Sequence, residues 1–141
     1  NLKNVTVEKK AISTNENILP FFVDPSNDMW FSNGSLKNGG WTGKEDSTPI
    51  SVQCTTLLPY LTREVDMLKI DVEGSEGQIL DNISEKLHLI KNIVIEYHPG
   101  SNLKKIVKTL TKAGFKLEYI VDGKVISAPQ DSMLMIVKGY R

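Results

Sequence analysis

The stretch MLKIDVEGSEGQIL, residues 67–80, decides the fold. Apolar and charged residues alternate in its first half, which is typical of a strand whose two faces meet different surroundings. The alternation predicts a strand that ends at Glu73, with Lys69, Asp71 and Glu73 on one face. A glycine then interrupts the strand, and the apolar spacing beyond it predicts a helix over 75–80.

Further segments on both sides of this stretch extend the pattern. The predicted strands are 5–12, 18–23, 48–57, 92–98, 115–121 and 132–140, and the clearest predicted helix is 101–114. Ser101 and Ser84 are expected to cap helix starts, and Gly114 to end a helix. The order predicts an α/β fold with a mainly parallel sheet, an antiparallel C-terminal strand and a β-hairpin extension made by 18–23 and 48–57.

Ionisable side chains fall at the carboxyl ends of two predicted strands. Asp71 and Glu73 end the first, and Glu96 and His98 end the second. Ligands of open α/β sheets bind beyond those ends, so the four residues predict one shared crevice. A structural alternative is that Lys69 pairs with the acids and that the acids stabilise the starts of the following helices. A negative side chain at a helix start contributes about 0.3–1 kcal/mol.

Composition excludes several classes of protein. The 141 residues carry 17 basic and 17 acidic side chains, so the broad positive surface of a nucleic-acid binder is not expected. No apolar run approaches the roughly 20 residues that span a bilayer, and a cytoplasmic protein without a membrane partner is expected. Cys54 is the single cysteine, which leaves no internal disulfide and predicts a small core residue.

The segment LKIDVEGSEGQIL, followed about twenty residues later by IVIEYHP, resembles the signature of the FkbM-like S-adenosylmethionine-dependent methyltransferases. Upstream, VTVEKKAIS resembles the third sheet strand of that family, and CTTLLPYL resembles its approach to the fourth. The resemblance covers most of the chain and is weakest over 24–48. It implies a Rossmann-like sheet whose last strand is antiparallel between its neighbours.

The resemblance also implies a function and a set of site residues. The family transfers a methyl group from S-adenosylmethionine, commonly to an oxygen of a sugar or small natural product, so a small-molecule or sugar acceptor is expected and a metal is not. Mapped onto this chain, the residues beside donor and acceptor are Asp71 and Glu73, those flanking the acceptor are Glu96 and His98, and those near the adenine ring are Ala11 and Ile12. The expected catalytic residues are Asp71, Glu96 and His98, with His98 or Asp71 as the base.

One family feature is not found in this sequence. It contains no Gly-rich first loop, and NGGWTGKED at 38–46 does not fit such a loop. Residues 1–141 are therefore expected to be the C-terminal portion of a single methyltransferase domain, with the first strands and the cofactor loop preceding Asn1.

Two other functions fit the same residues. Carboxylates with an imidazole suit Mg, Mn or Zn, so Asp71, Glu73, Glu96 and His98 could serve a metal-dependent hydrolase. A non-catalytic binding module is the second, because an uncovered sheet edge favours self-association into a homo-oligomer. Trp30 and Trp41 either stack on a sugar or cover the sheet, and His88 is expected to be a partly exposed helix residue.

Overall fold

A computed structural model describes residues 3–23, 34–38 and 47–141. The strands in these ranges are β1 (Ala11–Ile12), β2 (Ile18–Val23), β3 (Gly34–Ser35), β4 (Thr48–Thr55), β5 (Val65–Ile70), β6 (Ile90–Tyr97), β7 (Lys116–Val121), β8 (Lys124–Ile126) and β9 (Met135–Tyr140). The α-helices are α1 (Glu76–Asn82) and α2 (Leu103–Lys112), and short 3-10 helices cover Leu58–Tyr60 and Ser84–Leu89. Trp30 and Trp41 lie outside the described residues.

The larger sheet has the strand order β5-β6-β9-β7-β8. Strands β5 and β6 are parallel, whereas β9 is antiparallel to both β6 and β7. The expected antiparallel C-terminal strand is therefore present, but the expected mainly parallel sheet is wrong. The reason is that β9 inserts between β6 and β7, which run in the same direction, and so replaces one parallel pairing with two antiparallel ones.

The smaller sheet has the order β1-β4-β2-β3 and contains the predicted hairpin extension. Strands β2 and β4 pair antiparallel from Ile18 opposite Gln53 to Val23 opposite Thr48. The predicted strand over 5–12 is wrong for most of its length, because only Ala11–Ile12 pairs, parallel to β4. Val7 is 86% exposed, so the segment before Ala11 has no buried apolar face to hold it in a sheet.

The core lies between the larger sheet and the helices. Strand β6 buries Ile93, Ile95 and Tyr97 completely on one face, and α2 directs Leu103, Ile106 and Leu110 toward the same cluster. Each such side chain contributes about 1.5–3 kcal/mol when it leaves water. Cys54 is buried, as the sequence predicts, and no helix in the described ranges has the length and apolar character needed to cross a bilayer.

The helix ends differ from expectation at two serines. Asn102, not Ser101, caps α2, and its side chain accepts a hydrogen bond from the Lys105 amide at 3.2 Å. Ser84 begins a 3-10 helix and makes no side-chain cap. Gly114 follows the end of α2 with φ of +88°, a conformation that glycine adopts without steric cost, so its predicted role is confirmed.

Candidate active site

The parallel pairing of β5 with β6 brings the predicted site residues to one edge of the larger sheet. Ile70 at the end of β5 lies opposite Ile95, so Asp71 and Glu96 leave the two strands at the same level. The side chains of Asp71, Glu96 and His98 each offer a polar atom, and these atoms lie within 4.8 Å of one another. The residues form a cluster at the carboxyl ends of β5 and β6, where α/β proteins bind ligands, and this cluster is called the crevice below.

The mouth of the crevice carries an ion pair. The Lys69 ammonium lies 2.8 Å from Asp71 Oδ2 and 4.0 Å from Glu96 Oε2. Its hydrogen bond and charge interaction with Asp71 raise the pKa of Lys69. Because the Lys69 side chain is 60% exposed, the pair contributes at most about 1 kcal/mol to stability, and its main effect is to offset part of the negative charge at the rim.

The prediction that Glu73 shares a strand face with Lys69 and Asp71 is wrong. Strand β5 ends at Ile70, and Glu73 and Gly74 take left-handed conformations with φ of +50° and +102°. This turn directs the Glu73 carboxylate to His98, with 2.9 Å between Oε2 and Nε2. The Glu73 carbonyl accepts a 2.7 Å hydrogen bond from the Ser35 hydroxyl, which joins β3 of the smaller sheet to the crevice.

Glu76, in the first turn of α1, is the functional candidate that sequence reasoning missed. Its side chain is fully buried, with Oε1 2.9 Å from His98 Nδ1 and 3.0 Å from the Gly74 amide nitrogen. The Ser101 hydroxyl donates to its other oxygen. The signal available in the sequence was an acid flanked by Gly74 and Gly77. Gly77 lets the backbone at Ser101 approach closely, because a Cβ there would lie 2.3 Å from the Ser101 carbonyl oxygen.

The three ionisable groups of this network shift one another's pKa. Burial alone would raise the pKa of Glu76, but the hydrogen bonds from His98, Ser101 and the Gly74 amide outweigh it and leave that pKa lowered. The hydrogen bond to Glu76 raises the pKa of His98 against the opposing effect of burial. Burial raises the pKa of Glu73, although the nearby His98 charge opposes this. The two carboxylates therefore favour the protonated form of His98 relative to an ordinary histidine.

Ala11 and Ile12 are not brought to this crevice. They form β1 in the smaller sheet, and Ile12 packs against the core. The residues that follow them do approach it: a cavity of about 370 Å³ is lined on one side by 13–15 and on the other by Gly74, Ser75 and Gln78. The edge after β1 and the turn after β5 thus face a common cavity.

The geometry does not favour a metal ion at Asp71, Glu96 and His98. The Lys69 ammonium already offsets part of the charge of the two carboxylates, and both ring nitrogens of His98 are bonded to glutamates at 2.9 Å. An ion there would have to displace a cation and break one of these bonds. The metal-dependent hydrolase stays a prediction, because the donor atoms lie within 4.8 Å of one another but are already paired with charged side chains.

The fold and the crevice define a class: an α/β protein whose ligand site lies at the carboxyl ends of two adjacent parallel strands, with an antiparallel last strand between its neighbours. The chain belongs to the FkbM methyltransferase family, because the family model of the methyltransferase FkbM domain matches residues 3–117. Searches among curated proteins and among solved structures found no match.

Proposed function

We propose that this protein transfers a methyl group from S-adenosylmethionine to an oxygen of a sugar or another small natural product. The observation that carries the proposal is the gathering of Asp71, Glu73 and Glu96 around His98 at the carboxyl ends of β5 and β6, in a chain of the FkbM family. Family membership supports methyl transfer in general, and the crevice supports a small, polar acceptor.

The chemistry of the donor set fits the methyl donor. S-adenosylmethionine supplies an electrophilic methyl group on a positively charged sulfur, and its amino acid end carries an ammonium. The carboxylates of Asp71, Glu73 and Glu96 outnumber the Lys69 ammonium beside them, and this excess negative charge would attract such cationic groups. The polar edge at 13–15 would hold the adenosine end, with Ala11 and Ile12 immediately before it.

The residues of the crevice would position the acceptor. Glu96 and His98 flank the place where a hydroxyl can approach the donor, and carboxylates accept hydrogen bonds from the several hydroxyls of a sugar. Displacement requires the reacting atoms about 3–3.5 Å apart and in line, so fixing the hydroxyl is the main task of these side chains. The equal numbers of acidic and basic residues support a small-molecule acceptor over a nucleic acid.

The test uses protein from the complete reading frame. Isothermal titration calorimetry measures binding of S-adenosylmethionine, and mass spectrometry follows transfer of an isotopically labelled methyl group to a panel of sugars and hydroxylated natural products. We expect binding, and a product labelled on oxygen. Absence of affinity for S-adenosylmethionine would overturn the proposal.

A matched pair of variants locates the activity. Asp71→Asn removes a crevice charge, and we expect it to reduce donor affinity or turnover at least about tenfold. Asp66→Asn makes the same change within β5, the strand that Asp71 follows, at an exposed acid whose partner is Lys91 at 2.9 Å. Turnover of this control should stay within about twofold of the unsubstituted protein. Equal effects of the two substitutions would contradict the assigned position of the site.

A further inference from the structure

Lys37, which follows β3, reaches from the smaller sheet across one edge of the larger sheet. Its Cδ lies 3.6 Å from the place where a Cβ on Gly74 would stand, and its ammonium nitrogen lies 3.4 Å from the corresponding place at Gly100. Gly74 lies in the turn after β5, and Gly100 lies in the turn after β6. The lysine therefore crosses both turns at the carboxyl ends of these strands, where α/β proteins bind ligands.

The backbone of Lys37 is held at this edge by Ser35. The Ser35 side chain is buried, and its hydroxyl accepts a 3.0 Å hydrogen bond from the Lys37 amide. The same hydroxyl donates a 2.7 Å hydrogen bond to the Glu73 carbonyl in the turn after β5. The base of the lysine is thus fixed to that turn, whereas the residue as a whole is exposed and accessible to a ligand.

Two cavities adjoin where Lys37 crosses, because Gly74 and Gln78 line both of them. The larger, of about 370 Å³, is lined by Lys37, by hydroxyl and amide side chains and by aliphatic ones. The smaller, of about 160 Å³, extends to Gly100 and Ser101. Among the described residues that line the larger cavity, Lys37 alone carries a charge. Hydroxyls and amides donate hydrogen bonds to oxygen, so these surroundings suit an anionic oxygen group bound to the ammonium.

The contacts separate Lys37 from two other lysines near this edge. Lys69 is paired with Asp71 at 2.8 Å, and Lys105 in α2 is paired with Asp81 at 3.0 Å. No ion pair between described residues includes Lys37. Of these three lysines, Lys37 is therefore the one that can pair with an anion without giving up a carboxylate of the described chain.

The crevice and Lys37 present opposite charges at the same edge of the sheet. Three carboxylates beside one ammonium leave the crevice with excess negative charge, and the Lys37 side chain adds a separate positive charge. A ligand with a cationic group at one place and an anionic group at another is complementary to this arrangement.

We propose that Lys37 binds an anionic oxygen group of the ligand, a carboxylate, sulfate or phosphate, between the turns after β5 and β6. For the identity of the ligand, this inference rests on the proposed function. Both reactants can supply such a group: S-adenosylmethionine has a carboxylate at its amino acid end, and an acidic sugar has one on the acceptor. A lysine binds either group as a point charge, so the experiment separates the two sources.

The first arm of the test needs no methyl transfer. Protein from the complete reading frame is titrated with inorganic phosphate at constant ionic strength, and NMR follows the backbone amides. We expect saturable shifts at Lys37, Gly74 and Gly100, and Lys37→Gln should weaken the apparent affinity at least about tenfold. Lys37→Arg keeps the charge and should retain binding. Shifts that are missing at these amides, or that persist unchanged in Lys37→Gln, would overturn the inference.

The matched control is Lys86→Gln. Lys86 is exposed on the 3-10 helix Ser84–Leu89, and no ion pair between described residues includes it. Its substitution removes the same charge at a place remote from the two turns, where salt screens it from the site. Phosphate affinity should therefore stay within about twofold of that of the unsubstituted protein.

The second arm identifies the source of the anionic group. Calorimetry compares S-adenosylmethionine with its decarboxylated analogue, which keeps the sulfonium. If Lys37 binds the donor, Lys37→Gln should weaken the first ligand at least about tenfold and leave the second unchanged. If it binds the acceptor, donor affinity should be unchanged. Acidic members of the acceptor panel should then exceed their neutral counterparts, such as glucuronate against glucose, at least about tenfold in kcat/KM, and Lys37→Gln should abolish this preference.

The outcomes separate this inference from the proposed function. If methyl transfer occurs and Lys37→Gln behaves like Lys86→Gln in every measurement, the anion site is wrong while the proposed function stands. If the complete protein has no affinity for S-adenosylmethionine but binds phosphate through Lys37, the proposed function fails while the anion site stands.

Discussion

At the scale of single residues, His98 and Glu76 determine how stability depends on pH. The folded pKa of His98 is raised above its ordinary 6.5, so its contribution to the free energy of unfolding is fully present below pH 6.5 and is lost as pH rises through the folded value. The folded pKa of Glu76 is lowered below 4.5, so its contribution is present above 4.5 and is lost as pH falls through the folded value. Stability should therefore be greatest between these two limits.

This balance predicts the behaviour of His98→Gln. Loss of the imidazole leaves buried Glu76 without its main partner and should cost about 1–3 kcal/mol near pH 6. It should also flatten the decline in melting temperature that we expect between pH 6.5 and pH 9. Thermal denaturation across that range, followed by circular dichroism, measures both effects.

His88→Gln is the matched control, because His88 is exposed and its Nδ1 contacts only the Glu85 carbonyl, at 2.8 Å, among the described residues. Its melting temperature should follow the unsubstituted protein at every pH. A flat pH profile in the unsubstituted protein would contradict the role given to His98.

At the scale of secondary structure, the approach of α1 to the turn before α2 depends on Gly77. A Cβ at this position would lie 2.3 Å from the Ser101 carbonyl oxygen, a backbone atom that moves only with its whole turn. Gly77→Ala should therefore destabilise the protein by about 1–3 kcal/mol, although alanine favours the helix itself by up to about 1 kcal/mol. Urea denaturation gives the change in the free energy of unfolding.

Gly114→Ala separates this clash from the general effect of replacing glycine. Gly114 has open space around it and a φ of +88°, so the substitution should cost only about 1 kcal/mol of backbone strain. The imidazole NMR signal of His98 should shift in Gly77→Ala, because the displaced turn carries Ser101 away from Glu76, and should not shift in Gly114→Ala. An unshifted signal in both variants would mean that the turn adapts without disturbing the network.

At the scale of the whole molecule, the crevice lies where the two sheets meet. The Ser35 hydroxyl on β3 bonds to the Glu73 carbonyl beyond β5, and the cavity beside it is lined from both sides. A ligand held there should stabilise both parts of the fold together. Saturation with S-adenosylmethionine at about 100 times its dissociation constant should therefore add about 2.7 kcal/mol to the free energy of unfolding.

Differential scanning calorimetry with and without the donor tests this expectation. A single transition that moves to higher temperature would agree with it. Two transitions, of which only one moves, would show that the donor contacts one sheet alone. Asp71→Asn should reduce the shift, whereas Asp66→Asn should not.

Sequence patterns predicted the elements of this fold better than their pairing. Alternation and helical spacing depend on local chemistry, so the β6 strand, α2 and the hairpin of β2 with β4 could be read directly from the residues. The insertion of β9 between β6 and β7 depends on contacts distant in sequence, so the family resemblance implied it whereas no local pattern did.

The candidate site was likewise predicted where it depends on local pattern and not where it depends on distant contacts. Position at a strand end was enough to place Asp71 and Glu96 in one crevice. The pairing of Glu73 with His98 depends on a left-handed turn that strand alternation does not anticipate. The burial of Glu76 depends on close contact with a segment twenty-five residues further along the chain.

The left-handed backbone at Glu73 has a consequence for protein engineering. A residue with φ of +50° is strained unless it is glycine or asparagine, so substitution to asparagine should relax this turn. A programme that ranks variants by heat resistance would therefore select against glutamate here. The resulting variant would lose the carboxylate that pairs with His98, so screens for thermal stability should also measure ligand binding at this site.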